Sequence, residues 1–245
     1  MTTTFLTHLD EIESTNEWML KSLQNNKNLN HGDMVLADFQ SNGRGQINNH
    51  WESERGKNLL CSVVLFPERM QAKAQFPISE AVALAVADYL DIRTSCISVK
   101  WPNDIYWNDK KIAGILIENN LSGNYLSNCI VGIGLNLNQS EFKSDAPNPI
   151  SLHTITKRFF DSKTAAKRIR IHLMSRFWQA ENTPDVLHEE YLKKLYRRNI
   201  AATYKDANGT FTGIITDVET TGHLVIKDES GNLRRYAFKE VQFVL

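Results

Sequence analysis

Lys100-Trp-Pro-Asn-Asp-Ile-Tyr106 is one of the two most informative stretches of the sequence. The other is Lys111-Ile-Ala-Gly-Ile-Leu-Ile-Glu118, and together they indicate most about the fold. Pro102 has no backbone N–H, so it ends one strand and redirects Asn103 and Asp104 away from the ladder. Apolar, β-branched and aromatic residues in and around these stretches predict a series of short strands joined by tight turns. The predicted strands are 97–101, 105–107, 111–118 and 129–137, with a turn at 108–110 and a hairpin turn at 121–124.

The preceding residues predict a helix, two strands and a long loop. Ser14-Thr-Asn-Glu17 has the pattern of a capping box and predicts a helix that continues to about Gln24. Met34–Phe39 and Asn58–Phe66 have the composition of strands. Between them, Gln40–Lys57 has neither helical nor strand periodicity, and a loop of this length in a compact domain is usually functional or mobile.

The remaining residues predict three helices and then a small β domain. A helix at 79–90 is apolar on most sides, and two amphipathic helices are expected at about 163–180 and 185–197. From Ile200 the pattern changes to short strands, at 210–219, 223–227, 233–238 and 241–245, separated by Gly-containing turns. We therefore predict an α+β fold with a large domain at 1–197 and a small β-barrel at 198–245 that docks on it.

Composition excludes several classes of protein. The 245 residues carry 28 Lys+Arg and 28 Asp+Glu, and this balance argues against a dedicated DNA binder. The longest apolar run, Ala81–Ala87, is far too short to span a bilayer, and the first ten residues lack the pattern of a secretory signal. Three widely spaced cysteines without a CxxC motif favour buried, reduced thiols and a cytoplasmic location.

The zero total charge conceals a basic segment. Residues 157–198 contain 11 Lys+Arg and 5 Asp+Glu, a net charge of +6, between two mildly acidic parts of the chain. Such a segment is usually a solvated helix face. Its alternative interpretation is an electrostatic guide for an acidic protein partner.

Nucleotide-binding motifs of the common kinds are absent, but three further polar segments lie along the chain besides Lys100–Asp104. There is no P-loop, no dinucleotide fingerprint, no GxSxG and no HExxH. In the long loop, Gly43 and Gly45 flank Arg44, whose planar cation suits carboxylate or phosphate. Lys111 begins an apolar strand, as an edge gatekeeper or as a catalytic group. Asn136 and Asn138 point to the same face as Gly132 and Gly134, and either cap backbone groups or contact a ligand.

Read together, these segments resemble the biotin–protein ligases of the BirA type. The matching residues are Ser14-Thr-Asn16, Gln40, Gly43-Arg-Gly45, Lys100–Asp104, Lys111–Gly114 and Gly132–Asn136. The resemblance extends over about residues 5–245. It implies a mixed sheet of the biotin/lipoate ligase type, packed with helices, and a C-terminal SH3-like barrel.

The resemblance also implies the reaction and the roles of residues. The family uses ATP and Mg²⁺ to activate biotin as biotinyl-5′-AMP, and then biotinylates one lysine of a carrier domain of a biotin-dependent carboxylase. Lys111 and Arg44 are expected in catalysis, because cations must offset the charge that develops when a carboxylate attacks a phosphate. Asp104 is also expected there, as an orienter of Lys111, as a metal-associated carboxylate or as the group that assists the incoming lysine. By resemblance, biotin contacts Ser14, Thr15, Asn16, Gln40, Gly43, Arg44, Gly45, Lys111 and Gly114. ATP contacts Arg44, Gln46, Trp51, Asn103, Lys111 and Asn136, with Trp51 stacking on the nucleotide; no metal ligand is assigned.

The chain departs from many members of the family at Gln46, where a second basic residue is common. Gln46 has no charge with which to bind phosphate or to retain the intermediate. Residues 42–57 are expected to be mobile without ligand and to close over the adenylate.

Three other functions compete with biotin ligation as interpretations of the sequence. A lipoate ligase or octanoyl transferase shares the fold superfamily, a DNA-binding repressor would need more than the 13 residues before Ser14, and an inactive carrier-binding module would show no turnover. We expect no DNA and no membrane as partners, and a homodimer formed through a sheet edge is compatible with the pattern.

Overall fold

A computed structural model describes residues 5–25, 27–46, 49–143 and 148–244. Of the predicted segments, positions 47 and 48 of the long loop and position 245 of the last strand lie outside these ranges. The described residues form two β-sheets and five α-helices. The first sheet has seven strands, β1 to β7 in chain order: Leu6–Leu9, Met34–Ala37, Leu59–Leu65, Ile97–Lys100, Asp104–Trp107, Lys110–Ser122 and Tyr125–Leu135.

The first sheet is mixed, with the order β1-β2-β3-β7-β6-β5-β4. Only β1 and β2 pair in parallel, whereas the other neighbours in this order are antiparallel. The long hairpin of β6 and β7 supplies the middle of the sheet, and β7 pairs with both β3 and β6. This arrangement confirms the predicted mixed sheet.

The two faces of this sheet have different residues, as the alternation of side chains along a strand requires. On β3 and β7, Cys61, Val63, Val131 and Ile133 belong to the main hydrophobic core. The intervening positions include Ser62, Gly132 and Gly134, which are small or polar. A sheet face that is lined by small and polar residues leaves space for a ligand.

Five α-helices surround the sheet. They are α1 to α5 in chain order: Thr15–Gln24, Phe76–Asp91, Leu152–Thr156, Ser162–Asn182 and Pro184–Lys194. Helix α1 packs through Met19 against Val35, Val64 and Ile130 on one face of the sheet. Helices α2 and α4 pack in the main core on the other face, and α2 is buried along most of its length, as predicted.

The predicted capping box at the start of α1 does not form. Ser14 occupies the N-cap position with an extended backbone, but its side chain makes no capping hydrogen bond. Ser14 is instead buried and lines the large cavity described below, whereas Glu17 forms an ion pair with Lys21 one turn later. The capping pattern therefore predicted the position of the helix but not the use of the side chain.

The second sheet has five antiparallel strands, β8 to β12: Ala201–Asp206, Gly209–Val218, Leu224–Asp228, Leu233–Tyr236 and Gln242–Phe243. Their order is β11-β10-β9-β8-β12. Val218 and Leu224 from this sheet belong to the same hydrophobic core as α2. The indole Nε1 of Trp101 also donates a hydrogen bond to the carbonyl of Gly222, at 2.9 Å. The second sheet therefore docks on the first, as expected.

Sequence patterns missed or misplaced several features. Strands β1 and β8 and helix α3 are absent from the sequence-based prediction. Cys96 is exposed, contrary to the expectation of buried thiols, whereas Cys61 and Cys129 are buried. In the basic segment, Arg176 is bound to Asp88 and Glu190, so part of that charge is used within the fold. None of the helices in the described ranges has the length and hydropathy needed to cross a membrane.

His188, on α5, contacts both helix α2 and the second sheet, and the charge of its imidazole depends on pH. Its Nδ1 atom is 2.6 Å from Glu80 Oε1 on α2, and its Nε2 atom is 3.4 Å from Asp217 Oδ1 on β9. Burial opposes protonation of the imidazole, but the hydrogen bond to Glu80 and the charges of both carboxylates outweigh it, so the pKa of His188 is raised above 6.5. Burial also raises the pKa of Glu80, against the partial opposition of His188.

We therefore expect the free energy of unfolding to fall as the pH rises above about 6.5, through the raised pKa of His188. A histidine with a raised folded-state pKa contributes fully below its unfolded pKa, and this contribution is lost as the pH rises through the folded value. Urea unfolding at a series of pH values should show a smaller decline for His188→Gln than for the wild type. Equal declines would assign the effect to another group.

Candidate active site

A cavity of about 630 Å³ lies over the polar face of the first sheet. Its walls come from the start of α1, the loop after β2, the β4–β5 turn, strands β6 and β7, and the end of the second sheet. Most of the residues predicted from sequence for biotin, ATP or catalysis line it: Ser14, Thr15, Asn16, Gln40, Arg44, Gly45, Gln46, Trp51, Asn103, Asp104, Lys111 and Gly114. Residues separated by up to 100 positions thus meet in one cavity.

At one end of the cavity, hydrogen bonds connect the start of α1 to the sheet. Gln40 Oε1 accepts from the backbone N–H of Thr15 at 2.7 Å and from its hydroxyl at 2.9 Å. The Ser62 hydroxyl lies 2.8 Å from Thr15 Oγ1 and 2.5 Å from Asn16 Oδ1. These side chains are largely buried, so the network fixes donors and acceptors in a rigid arrangement suited to a small polar group.

Ser62 is a site residue that the sequence did not reveal, and its replacement by alanine gives a prediction. Ser62→Ala leaves the buried Asn16 oxygen without its donor, which costs about 1–3 kcal/mol of folding free energy. We expect a KM for the small polar substrate about tenfold higher, since about 1.4 kcal/mol corresponds to a factor of 10. Ser127→Ala, a half-buried serine on the distal part of β7, is the control. Unchanged KM for Ser62→Ala would remove the network from the binding site.

Arg44 and Asn16 are joined by a second residue missed in the sequence, Glu118. Its Oε2 atom accepts from Arg44 at 2.8 Å and from the Asn16 amide at 2.7 Å. The Nε atom of Arg44 is buried and has no hydrogen-bond partner among the described residues. Arg44 is therefore held beside the cavity with hydrogen-bonding capacity left for an anionic ligand.

Lys111 and Asp104 form the charged centre of the cavity. Lys111 Nζ is 2.7 Å from Asp104 Oδ1, and both side chains are about four-fifths buried, with 22% and 17% exposed. The carboxylate therefore fixes the ammonium group, which is the first of the three roles expected for Asp104. Asn103 is fixed on the adjacent turn by two hydrogen bonds. Its side-chain amide donates to Ile115 O at 2.7 Å, and its backbone carbonyl accepts from Ile115 N–H at 3.0 Å.

The indole of Trp51 lies on a seat formed by two glycines of the sheet. Gly114 and Gly134 face each other across β6 and β7. A Cβ atom at Gly114 would be 2.7 Å from Trp51 Cζ3, and one at Gly134 would be 2.4 Å from Trp51 Cε2. A side chain at either glycine would therefore collide with the indole. Lys111 Nζ lies 5.6 Å from the centre of the same indole ring.

The second sheet closes one side of the cavity. Phe238, Lys239 and Phe243 are among its lining residues. Lys100, at the end of β4, lies over the rings of Tyr106 at 5.2 Å and Phe243 at 4.8 Å. Burial lowers the pKa of Lys100; Asp104 opposes this shift, whereas the charges of Lys111 and Arg197 add to it. With Arg44, Lys111 and Lys239, this lysine makes the cavity strongly cationic.

Two residues expected at the site are not among those that line the cavity. The Asn136 amide donates to Ile150 O at 3.1 Å, which matches the alternative interpretation of backbone capping at the strand end. Gly43 supports the loop instead, since a Cβ there would be 2.6 Å from the carbonyl oxygen of Trp51. Contacts of either residue with a ligand stay predictions.

Metal-binding capacity in the described part of the chain is limited. One group of potential ligands, His8, Asp10 and Asp38, has ligand atoms within 4.8 Å of one another, and none of the three lines the cavity. Among the described residues that line the cavity, Asp104 is the carboxylate.

Comparison with known proteins identifies the relatives of this chain. Residues 9–136 match the model of the biotin/lipoate A/B protein ligase family. The bifunctional ligase/repressor BirA of Bacillus spizizenii is 30% identical over 244 residues, which cover 95% of this chain and 72% of that protein. The biotin–[acetyl-CoA-carboxylase] ligase of Paracoccus denitrificans is 39% identical over 106 residues, covering 42% of this chain and 43% of that protein.

A solved structure extends the similarity over nearly the whole chain. The biotin protein ligase from Aquifex aeolicus, determined in complex with biotin and ATP, superposes with a TM-score of 0.79 and 25% sequence identity. The match covers 98% of this chain and 99% of the Aquifex chain, so it includes both sheets. The chain therefore belongs to the biotin/lipoate A/B protein ligase family.

Proposed function

We propose that this protein is an ATP-dependent ligase that activates biotin as biotinyl-5′-AMP and transfers biotin to a lysine of a carrier domain of a biotin-dependent carboxylase. The observation that carries the proposal is a single cavity that combines a neutral hydrogen-bonding network with half-buried and buried cations. A neutral ring fits the network, and a carboxylate or a nucleotide phosphate fits the cations.

The first half-reaction has residues suited to it. In this step the biotin carboxylate oxygen attacks the α-phosphorus of ATP. The bond between the α-phosphorus and the oxygen that bridges it to the β-phosphorus breaks, and diphosphate leaves. Lys111 and Arg44 are placed to stabilise the negative charge that accumulates on the phosphoryl oxygens. Thr15, Asn16 and Gln40 hold the ureido ring, while Trp51 and Asn103 contact the nucleotide.

The cavity fits Mg²⁺ bound chiefly through substrate phosphates. Mg²⁺ in such sites uses one or two protein carboxylates and retains several waters, and Asp104 can supply one carboxylate. When bound, the ion would neutralise part of the charge on the triphosphate. Gln46 lines the cavity without a charge, so Mg²⁺ and the cavity lysines would neutralise the phosphates in place of a second basic residue.

Incubation with biotin, MgATP and a biotin-carrier domain tests the proposal. Covalent label on one carrier lysine, together with AMP and diphosphate, is the expected result. Replacement of biotin by lipoate or octanoate separates this function from that of the lipoate ligases and octanoyl transferases. Transfer of lipoate or octanoate in place of biotin would overturn the assignment of substrate.

We further propose that the second sheet closes as a small SH3-like barrel, forming a domain at 198–245 beside a catalytic domain at 1–197. Tyr236 on β11 donates to Asp206 at the end of β8 at 2.7 Å, although β10 and β9 lie between these strands in the sheet order. Contact across two intervening strands requires strong curvature, which supports closure.

The setting of the protein also belongs to this proposal. We expect a cytoplasmic enzyme that acts on a carrier domain without DNA or membrane as partners and that can form a homodimer. Ordering of residues 42–57 over the adenylate, and guidance of the carrier by the basic segment 157–198, stay predictions.

A further inference from the structure

A second cavity, of about 350 Å³, adjoins the first. The two share Gln46, Trp101, Pro102, Asn103, Ile115 and Phe238 as lining residues, so they meet beside the turn that carries Asp104. The second cavity lies between the start of α2, the outer part of β6 and the β9–β10 turn.

The second cavity differs from the first in charge. The main cavity is lined by four Lys and Arg side chains, whereas none of the described residues that line the second is Lys, Arg, Asp or Glu. Its walls are the rings of Phe76, Trp101 and Phe238 together with amide side chains. A triphosphate has no cation to bind there, while an alkyl chain that ends in an amine meets neither repulsion nor a carboxylate that would hold it protonated.

Two buried oxygens in this lining have no partner. Gln46 Oε1 and Asn119 Oδ1 are both inaccessible to solvent and accept no hydrogen bond from the described residues. The Asn119 amide group is oriented by a hydrogen bond from its nitrogen to Gln75 Oε1 at 2.5 Å. Buried acceptors normally have donors, so these two carbonyl oxygens indicate a ligand that brings N–H groups.

We propose that the second cavity admits the side chain of the acceptor lysine, and that Gln46 and Asn119 accept hydrogen bonds from the amine or the adjoining carrier backbone. This inference rests on the proposed function and adds the route by which the second substrate reaches the adenylate. Biotinyl-5′-AMP fills the cationic cavity, and a lysine that approached through that cavity would have to pass Arg44, Lys100, Lys111 and Lys239. The uncharged cavity avoids this repulsion.

The transfer step is balanced without any further reactant. The neutral amine of the carrier lysine attacks the biotinyl carbonyl carbon, and an amide bond forms. The bond between that carbon and the phosphate oxygen breaks, AMP leaves with the electron pair, and the nitrogen loses its extra proton to Asp104 or solvent.

Adjacent threonines on the β9–β10 turn provide a matched test. Thr220 and Thr221 are both exposed, but Thr221 lines the second cavity and Thr220 lines neither cavity. Thr221→Trp places a large ring in the proposed route, whereas Thr220→Trp introduces the same ring outside it. We expect Thr221→Trp to slow single-turnover transfer from biotinyl-5′-AMP to a carrier domain at least tenfold, with biotin-dependent ATP–diphosphate exchange within about twofold of wild type.

Each outcome of this experiment bears on the inference. Transfer by Thr221→Trp at the rate of Thr220→Trp would overturn it, and so would weaker ATP binding with normal transfer, which would assign the cavity to the nucleotide. If Thr221→Trp does not fold, Asn119→Leu replaces it, with an increased KM for the carrier as the expected result and an unchanged KM as the contrary one. Absence of adenylate in the wild type would instead refute the proposed function.

Discussion

Lys111→Ala is expected to slow formation of biotinyl-5′-AMP by about 10²–10³-fold, the usual effect of removing one preorganised charge from a reacting oxyanion. The lysine is about four-fifths buried and is fixed by Asp104 at 2.7 Å, so it reaches its working position before the substrates bind. In such an environment a charge acts on the transition state with little screening by water. Arg44 and Mg²⁺ would supply the catalysis that remains.

Biotin-dependent ATP–diphosphate exchange measures this step without the carrier. Lys110→Ala is the matched control, because Lys110 is the preceding residue on the same strand, is exposed and does not line the cavity. Thermal unfolding of both variants separates catalysis from stability, since removal of Lys111 leaves Asp104 without its counter-ion. A rate near that of the wild type in folded Lys111→Ala would place Lys111 outside the chemistry.

The fold could be predicted to the extent that it depends on local pattern. Alternation and turn residues predicted most strands of both sheets, and apolar density predicted the burial of α2. Strand β1 was missed because four residues, Leu6–Leu9, give too short a pattern, and its pairing with β2 depends on a distant segment. The paired strands of the β6–β7 hairpin extend farther toward the hairpin turn than predicted, because polar residues such as Asn119 and Asn128 lie within them.

The candidate site could be predicted where its residues fall in compact motifs. Ser62 was missed because it is a single polar residue in an apolar strand, and Glu118 because it follows an apolar run without belonging to a motif; their partners are 46 to 102 positions away. A still longer separation in sequence hid the contribution of Phe243 to the Lys100 contact. The Asn136 amide, conspicuous in its motif, donates to the carbonyl of Ile150 in this structure, and its contact with ATP stays a prediction.

The second large effect is expected at Gly134, because the position of the Trp51 indole depends on the absence of a side chain there. Alanine at this position favours a strand over glycine by about 0.5–1 kcal/mol, so local propensity predicts a stabilising change. The added Cβ, however, would lie 2.4 Å from Trp51 Cε2 and 2.7 Å from Nε1. The strand is central in the sheet, paired with Leu60 and Gly114, so the indole and its loop must move instead.

Gly134→Ala is therefore expected to reduce kcat/KM for adenylate formation about 100-fold, the cost of displacing a substrate-positioning group by about 1 Å, while the melting temperature changes little. Trp51→Gly provides the test of mechanism through a double-mutant cycle. Because the overlap requires the indole, Gly134→Ala should cause almost no further loss in a Trp51→Gly background. Losses that multiply independently in the double variant would show that Gly134 acts on the ligand directly and not through the position of Trp51.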